Sequence, residues 1–103
     1  NNYSNHKYFS CYIILYNMDI NQLTEIVKKK ILEHKVIESV EIEDKSHLHK
    51  NHKSNQEGKF HIKLMIKSPE LKKENILTSN KFIFKIISNE LKHNIHSIQI
   101  LFV

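Results

Sequence analysis

Three of the eight histidines in this 103-residue chain, His47, His49 and His52, fall within six positions. Imidazole nitrogen is a common ligand for zinc, copper, nickel and iron, so this spacing permits a metal site. A structural zinc site, however, takes four protein ligands that usually include thiolates, and Cys11 is the only cysteine. These residues alone leave two interpretations open: a solvated polar tract, which is the commoner case, and a metal site.

His96 stands apart from this cluster, at the start of a predicted C-terminal strand. It shares sequence parity with Ile98 and Ile100, which predicts that its side chain leans toward the core. Alone, such a residue is most simply a partly buried histidine bonded to a backbone carbonyl. If it converged with a loop histidine, the two would supply nitrogens at one rim of the sheet. Because Cys11 is the only thiol, a two-iron cluster held there would need ligands from a second protein.

Other catalytic or phosphate-binding patterns are missing from the sequence. Gly58 is the only glycine, so a glycine-rich phosphate loop cannot form, and neither a Gly-x-Ser-x-Gly nor a His-Glu-x-x-His motif occurs. The neighbouring acids Glu41, Glu43 and Asp44 are better explained as solvated carboxylates than as an acid–base pair. The sequence therefore predicts a binding protein, not an enzyme.

The net charge of +5 is that of sixteen lysines against eleven acidic residues, and the sequence contains no arginine. A basic surface favours encounters with polyanions, but dedicated phosphate-binding sites more often use the bidentate guanidinium of arginine. A solvated basic surface is therefore the simpler interpretation. If the chain does bind nucleic acid, Lys81 and Lys85 on the second predicted helix are the candidate contacts.

The apolar spacing predicts the order helix, strand, strand, helix, strand. The predicted elements cover about residues 19–33, 40–43, 60–67, 79–93 and 95–103. Asp19 with Gln22 is expected to cap the first helix, Thr78 or Ser79 the second, and Pro69 to end the second strand. The fold class is α+β, with a three-stranded mixed sheet covered on one face by the helices and a parallel final strand. The predicted core residues are Leu23, Ile26, Val27, Ile31, Val40, Ile42, Phe60, Ile62, Leu64, Ile66, Phe82, Ile83, Ile86, Ile87, Leu91, Ile98, Ile100 and Phe102.

The chain length suits one domain, which we place at residues 19–103 after a flexible N-terminal extension at residues 1–18. Residues 45–58 form an unusually long connection between neighbouring strands, and long connections are often functional. The longest apolar run is too short to cross a bilayer, so no membrane association is expected. The lone cysteine fits a reducing compartment. We expect the protein in the cytoplasm, with the nucleus as a further location and mitochondria as the alternative.

Three stretches of the sequence resemble the BolA family. They are Val40-Glu41-Ile42-Glu43-Asp44-Lys45-Ser46-His47-Leu48-His49, Gly58-Lys59-Phe60-His61-Ile62-Lys63-Leu64 and Ile95-His96-Ser97-Ile98. The resemblance covers residues 19–103 and implies the α-β-β-α-β fold of that family, which is similar to the type II KH arrangement. One departure lies at the start of the second helix, where Ser79, Asn80 and Lys81 replace the family's Arg-His-Arg triplet.

The resemblance implies a cofactor and a partner for the chain. BolA proteins pair with a monothiol (CGFS-type) glutaredoxin and share a two-iron, two-sulfur (2Fe-2S) cluster, to which the glutaredoxin cysteine and glutathione contribute thiolates. The family's Asp-x-Ser-x-x-His/Cys pattern places one ligand on His49, and its Ile-His motif places the second on His96. His47 and His52 then become accessory residues. The isolated chain is expected to hold no cofactor and to be a monomer or a weak dimer.

Two alternative functions remain at this point. The first is a nucleic-acid-binding transcriptional regulator with a role in stress response. The KH-like order of elements favours it. The sequence, however, lacks the Gly-x-x-Gly loop with which KH domains clamp nucleotides. The second is a self-contained metal-binding domain that uses His47, His49 and His52 and makes no use of His96.

Overall fold

The computed structural model of the chain describes residues 18–46 and 59–103. The predictions for residues 1–17 and for the loop histidines His47, His49 and His52 lie outside the described residues. The described elements are α1 (Ile20–Leu32), β1 (Ser39–Asp44), β2 (Phe60–Lys67), α2 (Pro69–Lys73), α3 (Ile76–Ile86), α4 (Ser88–His93) and β3 (Ile95–Phe102).

The three strands form one mixed sheet with β2 in the centre. β1 pairs with β2 in antiparallel fashion and β3 pairs with β2 in parallel, as predicted. Alternate residues of each strand pack with α1, α3 and α4 in a single apolar cluster, and every predicted core residue is either buried in it or partly buried and packed against it. This agreement follows from periodicity, because a period of two or 3.6 decides which side chains share a face. The opposite face of the sheet is not covered by the described helices.

α1 begins as predicted, with a reciprocal capping pair. The Asp19 carboxylate accepts from the Gln22 N–H at 2.8 Å, and the Gln22 side chain accepts from the Asp19 N–H at 3.0 Å. Met18, the last residue of the predicted extension, is buried in the core. The packed part of the domain therefore includes the residue just before the cap.

Pro69 does not simply end the second strand; it opens the short helix α2, which the sequence analysis missed. The Ser68 hydroxyl caps this helix by accepting from the Leu71 N–H, and it donates to the Val36 carbonyl at 2.7 Å. Proline suits the first helical position because its missing N–H would have no partner there. A strand-ending proline and a helix-starting proline look alike in a single sequence.

The second predicted helix is in fact two helices and starts earlier than expected. Asn75, and neither Thr78 nor Ser79, caps α3 by accepting from the Leu77 N–H at 2.8 Å. Ser79 is fully buried and donates its hydroxyl to the Leu71 carbonyl at 2.7 Å, which ties α3 to α2. The backbone leaves helical geometry at Ile87 (φ −109°, ψ 28°), and α4 follows. The apolar residues of α3 and those of α4 nevertheless pack in the same core.

A buried ion pair joins α1 to α4. The Glu90 side chain is 1% exposed, and both of its carboxylate oxygens accept from Lys30 Nζ, at 3.0 and 2.8 Å. A buried carboxylate without such a cation would cost several kcal/mol, so this pair constrains how the two helices pack. Among the described helices, none is long and apolar enough to span a membrane.

A histidine corner at one end of the sheet

β1 ends where β2 and β3 begin, so the three strands bring their polar residues to the same end of the sheet. The residues there are Lys45, Ser46, His61, His96 and Ser97, which we call the histidine corner. The described chain stops at Ser46 and resumes at Lys59, both at this corner.

His96 lies at an irregularity of the β2–β3 register. Phe60 pairs with Ile95, but the next residue, His61, pairs with Ser97, so β3 has one extra residue at position 96. Such a bulge shifts the alternation of side chains by one. Ile95 and Ile98 therefore both pack in the core, whereas His96 is exposed. The prediction that His96 leans toward the core was wrong because parity counting assumes an uninterrupted strand.

His61 is the corner residue that the sequence analysis missed. It lies on the face of β2 that the described helices do not cover, yet it is only 4% exposed. Its Nδ1 lies 2.6 Å from Ser97 Oγ, and its ring meets that of His96 edge to face, with the centroids 4.9 Å apart and the planes at 65°. The sequence feature that could have identified His61 was its position in the strand pattern, which points its side chain away from the core, next to the Ile95-His96-Ser97 stretch. The bulge that brings the rings together was not visible in the sequence.

Asp44 and Ser46, the first two positions of the Asp-x-Ser-x-x-His pattern, have structural roles. The Asp44 carboxylate accepts from the Ser46 N–H at 2.9 Å, and Ser46 Oγ in turn accepts from the His61 N–H at 3.1 Å. The Lys45 N–H also donates to the His61 carbonyl at 2.6 Å. These bonds attach Lys45 and Ser46 to the backbone of His61, so Ser46 lies beside the two corner histidines.

The described residues alone do not complete a metal site. No group of three or more histidine, cysteine, aspartate or glutamate side chains in residues 18–46 and 59–103 is placed to hold a metal ion. His96 is the predicted ligand that these ranges contain, and His49 lies outside them. Any cluster at the corner would therefore need ligands beyond the described part of the chain.

The residues of the nucleic-acid alternative lie on α3. Lys81 and Lys85 are both exposed and are one helical turn apart. Ser79 is buried and Asn80 is half-buried, so of the three residues at the family's basic triplet only Lys81 is presented at the surface.

Comparisons with known proteins identify the fold. A family model described as BolA-like protein matches residues 32–102. The chain resembles the solved BolA domain of SufE1 from Arabidopsis thaliana with a TM-score of 0.64 and 22% identity, over 77% of this chain and 87% of that one. It also resembles BolA1 from the same organism (TM-score 0.61, 18% identity, 77% and 87% covered). A third similar structure is a Bol-like protein from Babesia bovis (0.58, 14%, 78% and 81%).

No curated protein matches the chain. At these identities, the solved structures establish a shared fold: helices on one face of a three-stranded mixed sheet. The family model is the stronger finding, because it spans β1 to β3 and with them the histidine corner. Since that match covers more than two thirds of the sequence, this chain belongs to the BolA-like family.

Proposed function

We propose that the protein is a non-enzymatic adaptor in iron-sulfur cluster assembly or trafficking, which forms a complex with a monothiol glutaredoxin and shares a 2Fe-2S cluster with it. The observation that carries this proposal is the exposed imidazole of His96, turned out of the core by the bulge and in contact with the His61 ring. An exposed ring at the start of a strand is accessible to a cluster held by another protein.

His49 is the second proposed ligand, and the covalent chain allows it to reach the corner. Ser46 is bonded to the His61 N–H, and His49 follows three residues later. A fully extended chain covers about 3.5 Å per residue, so the two Cα atoms can be at most about 11 Å apart. His47 and His52 stay accessory residues in this proposal.

The chemistry of the donor set fits a shared cluster. Imidazole nitrogen can replace thiolate on one iron of a two-iron cluster, and two nitrogens from this chain leave two positions for the glutaredoxin cysteine and glutathione. In this arrangement His96 and His49 bind iron, while His61 limits the orientation of His96 through the ring contact. Imidazole must be neutral to bind, so the complex should weaken as these histidines protonate.

Anaerobic reconstitution with a monothiol glutaredoxin, iron, sulfide and glutathione tests the proposal. The mixed complex should have an absorption and circular dichroism spectrum that differs from that of the glutaredoxin alone. His49→Ala and His96→Ala should each change this spectrum, and together they should abolish it. His93→Ala is the matched control, because the His93 Nδ1 lies against the Asn89 carbonyl on α4. If the double variant gives the same mixed-complex spectrum as the wild type, the assignment of His49 and His96 as ligands is wrong.

A self-contained metal site makes a different prediction. Metal bound to the isolated protein should then fall with His52→Ala and be insensitive to His96→Ala. The shared-cluster proposal expects the isolated protein to bind no stoichiometric metal. Metal analysis of the two purified variants separates these cases.

Nucleic-acid binding is the alternative function, and the exposed pair Lys81 and Lys85 on α3 is the observation that favours it. Titration with short DNA or RNA at low salt should then show affinity that falls with salt and with the Lys81→Gln, Lys85→Gln double variant. A flat titration at low salt removes this alternative.

A further inference from the structure

The outward face of the sheet has an open depression of about 330 Å³ at the histidine corner. Polar side chains of β2 and β3 line it, together with that of Lys45, which directly follows β1; those of the two strands are His61, Lys63, Ser97 and Gln99. The register places them together, because Lys63 pairs with Gln99 and His61 with Ser97. His96 adjoins the depression, since its ring contacts His61 and its neighbour in sequence is Ser97.

The depression carries a surplus positive charge. Lys45 Nζ lies 2.9 Å from Glu43 Oε1, and both side chains are partly exposed. Lys63 is half-buried, and among residues 18–46 and 59–103 no carboxylate lies within ion-pair distance of its Nζ. Two ammonium groups therefore face one nearby carboxylate. An ammonium group makes a charge-assisted hydrogen bond with an anion that binds beside it.

Neutral hydrogen-bond donors lie beside these charged groups. The Gln99 amide can donate, and so can the Ser97 hydroxyl when His61 Nδ1 carries a proton, because Ser97 Oγ then accepts from His61 and keeps its own hydrogen for another partner. Both neutral donors lie on β3, two residues apart, and Lys63 is the residue that pairs with Gln99 on the neighbouring strand β2. A carboxylate has two oxygens, so it can accept from the Lys63 ammonium and from a neutral donor at the same time.

We propose that this depression binds a carboxylate group that arrives with the docked partner. The proposal rests on the proposed function, because the cluster at His96 would bring glutathione, which has two carboxylates, to the edge of the depression. An acidic side chain of the glutaredoxin has the same chemistry, and the experiment below separates the two sources.

The first experiment uses the isolated protein. Reduced glutathione, titrated at constant ionic strength, should shift the backbone amide resonances of Lys63, Ser97 and Gln99, whereas glutathione diethyl ester, with both carboxylates blocked, should not. Lys63→Gln should weaken binding about tenfold by removing a charge-assisted hydrogen bond. Glu43→Gln should strengthen binding, because it removes a competing carboxylate from Lys45. Lys85→Gln is the control, and its affinity should equal that of the wild type.

The second experiment measures the affinity of the cluster-bridged complex, assembled with glutathione or with its diethyl ester. If Lys63→Gln weakens only the glutathione complex, glutathione supplies the carboxylate. If it weakens both complexes, the glutaredoxin supplies it. No effect in either complex, together with no shift in the titration, overturns the proposal.

Failure of the proposed function is recognised separately. If the wild-type protein forms no bridged complex, that function is wrong, and the titration alone decides about the depression. Shifts that Lys63→Gln removes then support a carboxylate site without a cluster, and unshifted amides overturn it.

Discussion

Ser97 Oγ and His61 Nδ1 lie 2.6 Å apart, and this bond fixes a buried imidazole against the exposed ring of His96. The bond crosses from β3 to β2 directly after the bulge. It therefore couples the local irregularity of the sheet to the orientation of the proposed ligand.

We expect Ser97→Ala to lower the free energy of unfolding by about 1 kcal/mol, because the nearly buried His61 loses this hydrogen bond. His61→Phe keeps a ring beside His96 but removes the same bond. The two substitutions should therefore be non-additive in a double-mutant cycle measured by urea unfolding. Ser39→Ala, at an exposed strand position, is the control and should change stability by less than about 0.5 kcal/mol. Additive costs would show that the two side chains are not coupled.

Ser46→Ala should weaken the attachment of Ser46 to β2 at His61. The His61 N–H loses its acceptor, at a cost of about 0.5–1.5 kcal/mol, and its hydrogen exchange should accelerate. Asp44→Ala should act in the same direction by removing the acceptor of the Ser46 N–H. Asp44→Asn retains an oxygen at that position and is the matched control. Unchanged exchange of the His61 amide in Ser46→Ala would contradict the anchoring role.

Lys30→Met should be among the most destabilising single substitutions of a lysine. It leaves the Glu90 carboxylate buried without its cation, at a cost of about 2–4 kcal/mol, nearer the lower figure because the Lys30 side chain is 36% exposed. Lys67→Met is the control, since Lys67 and Glu38 form an exposed pair at 3.8 Å that should contribute less than about 0.5 kcal/mol.

Chemical denaturation of these variants together with the double variant Lys30→Met, Glu90→Leu completes this test. The double variant should recover much of the lost stability, because no charge is left buried. Equal effects of Lys30→Met and Lys67→Met would show that the buried pair has no special role.

Ser79→Arg should unfold the domain or destabilise it by more than about 3 kcal/mol. Ser79 is fully buried and bonded to the Leu71 carbonyl, so an arginine would overpack the α2–α3 contact and bury a charge. Lys81→Arg, at an exposed position of the same helix, should be neutral. Thermal unfolding of both variants measures the difference. A stable Ser79→Arg protein would mean that the basic triplet of the family fits here without rearrangement.

Much of the fold could be predicted from the sequence, and the reason is local. The Asp19–Gln22 cap depends on residues three positions apart, and the core faces depend on short periods. The start of α3 was missed because Asn75, Thr78 and Ser79 are all plausible caps. Only the tertiary packing shows that Ser79 is buried and that its hydroxyl donates to the Leu71 carbonyl.

The candidate site was predicted less completely, for a different reason. His96 and the His49 loop followed from a family resemblance, and His49 as a ligand stays a prediction. His61 was not predicted as a site residue, because strand parity contains no information about a bulge on the neighbouring strand. Its partner Ser97 is 36 residues away in sequence, a separation that no local pattern spans.

Short-range spacing predicted most of the helices and strands and their apolar faces, and the family resemblance indicated the stretches that meet at the corner. Only the assembled fold turns His96 outward, buries His61 beside it and pairs Lys30 with Glu90. Each of these depends on strand register or helix packing between distant residues, and the free energy of such contacts is set only when the whole core assembles.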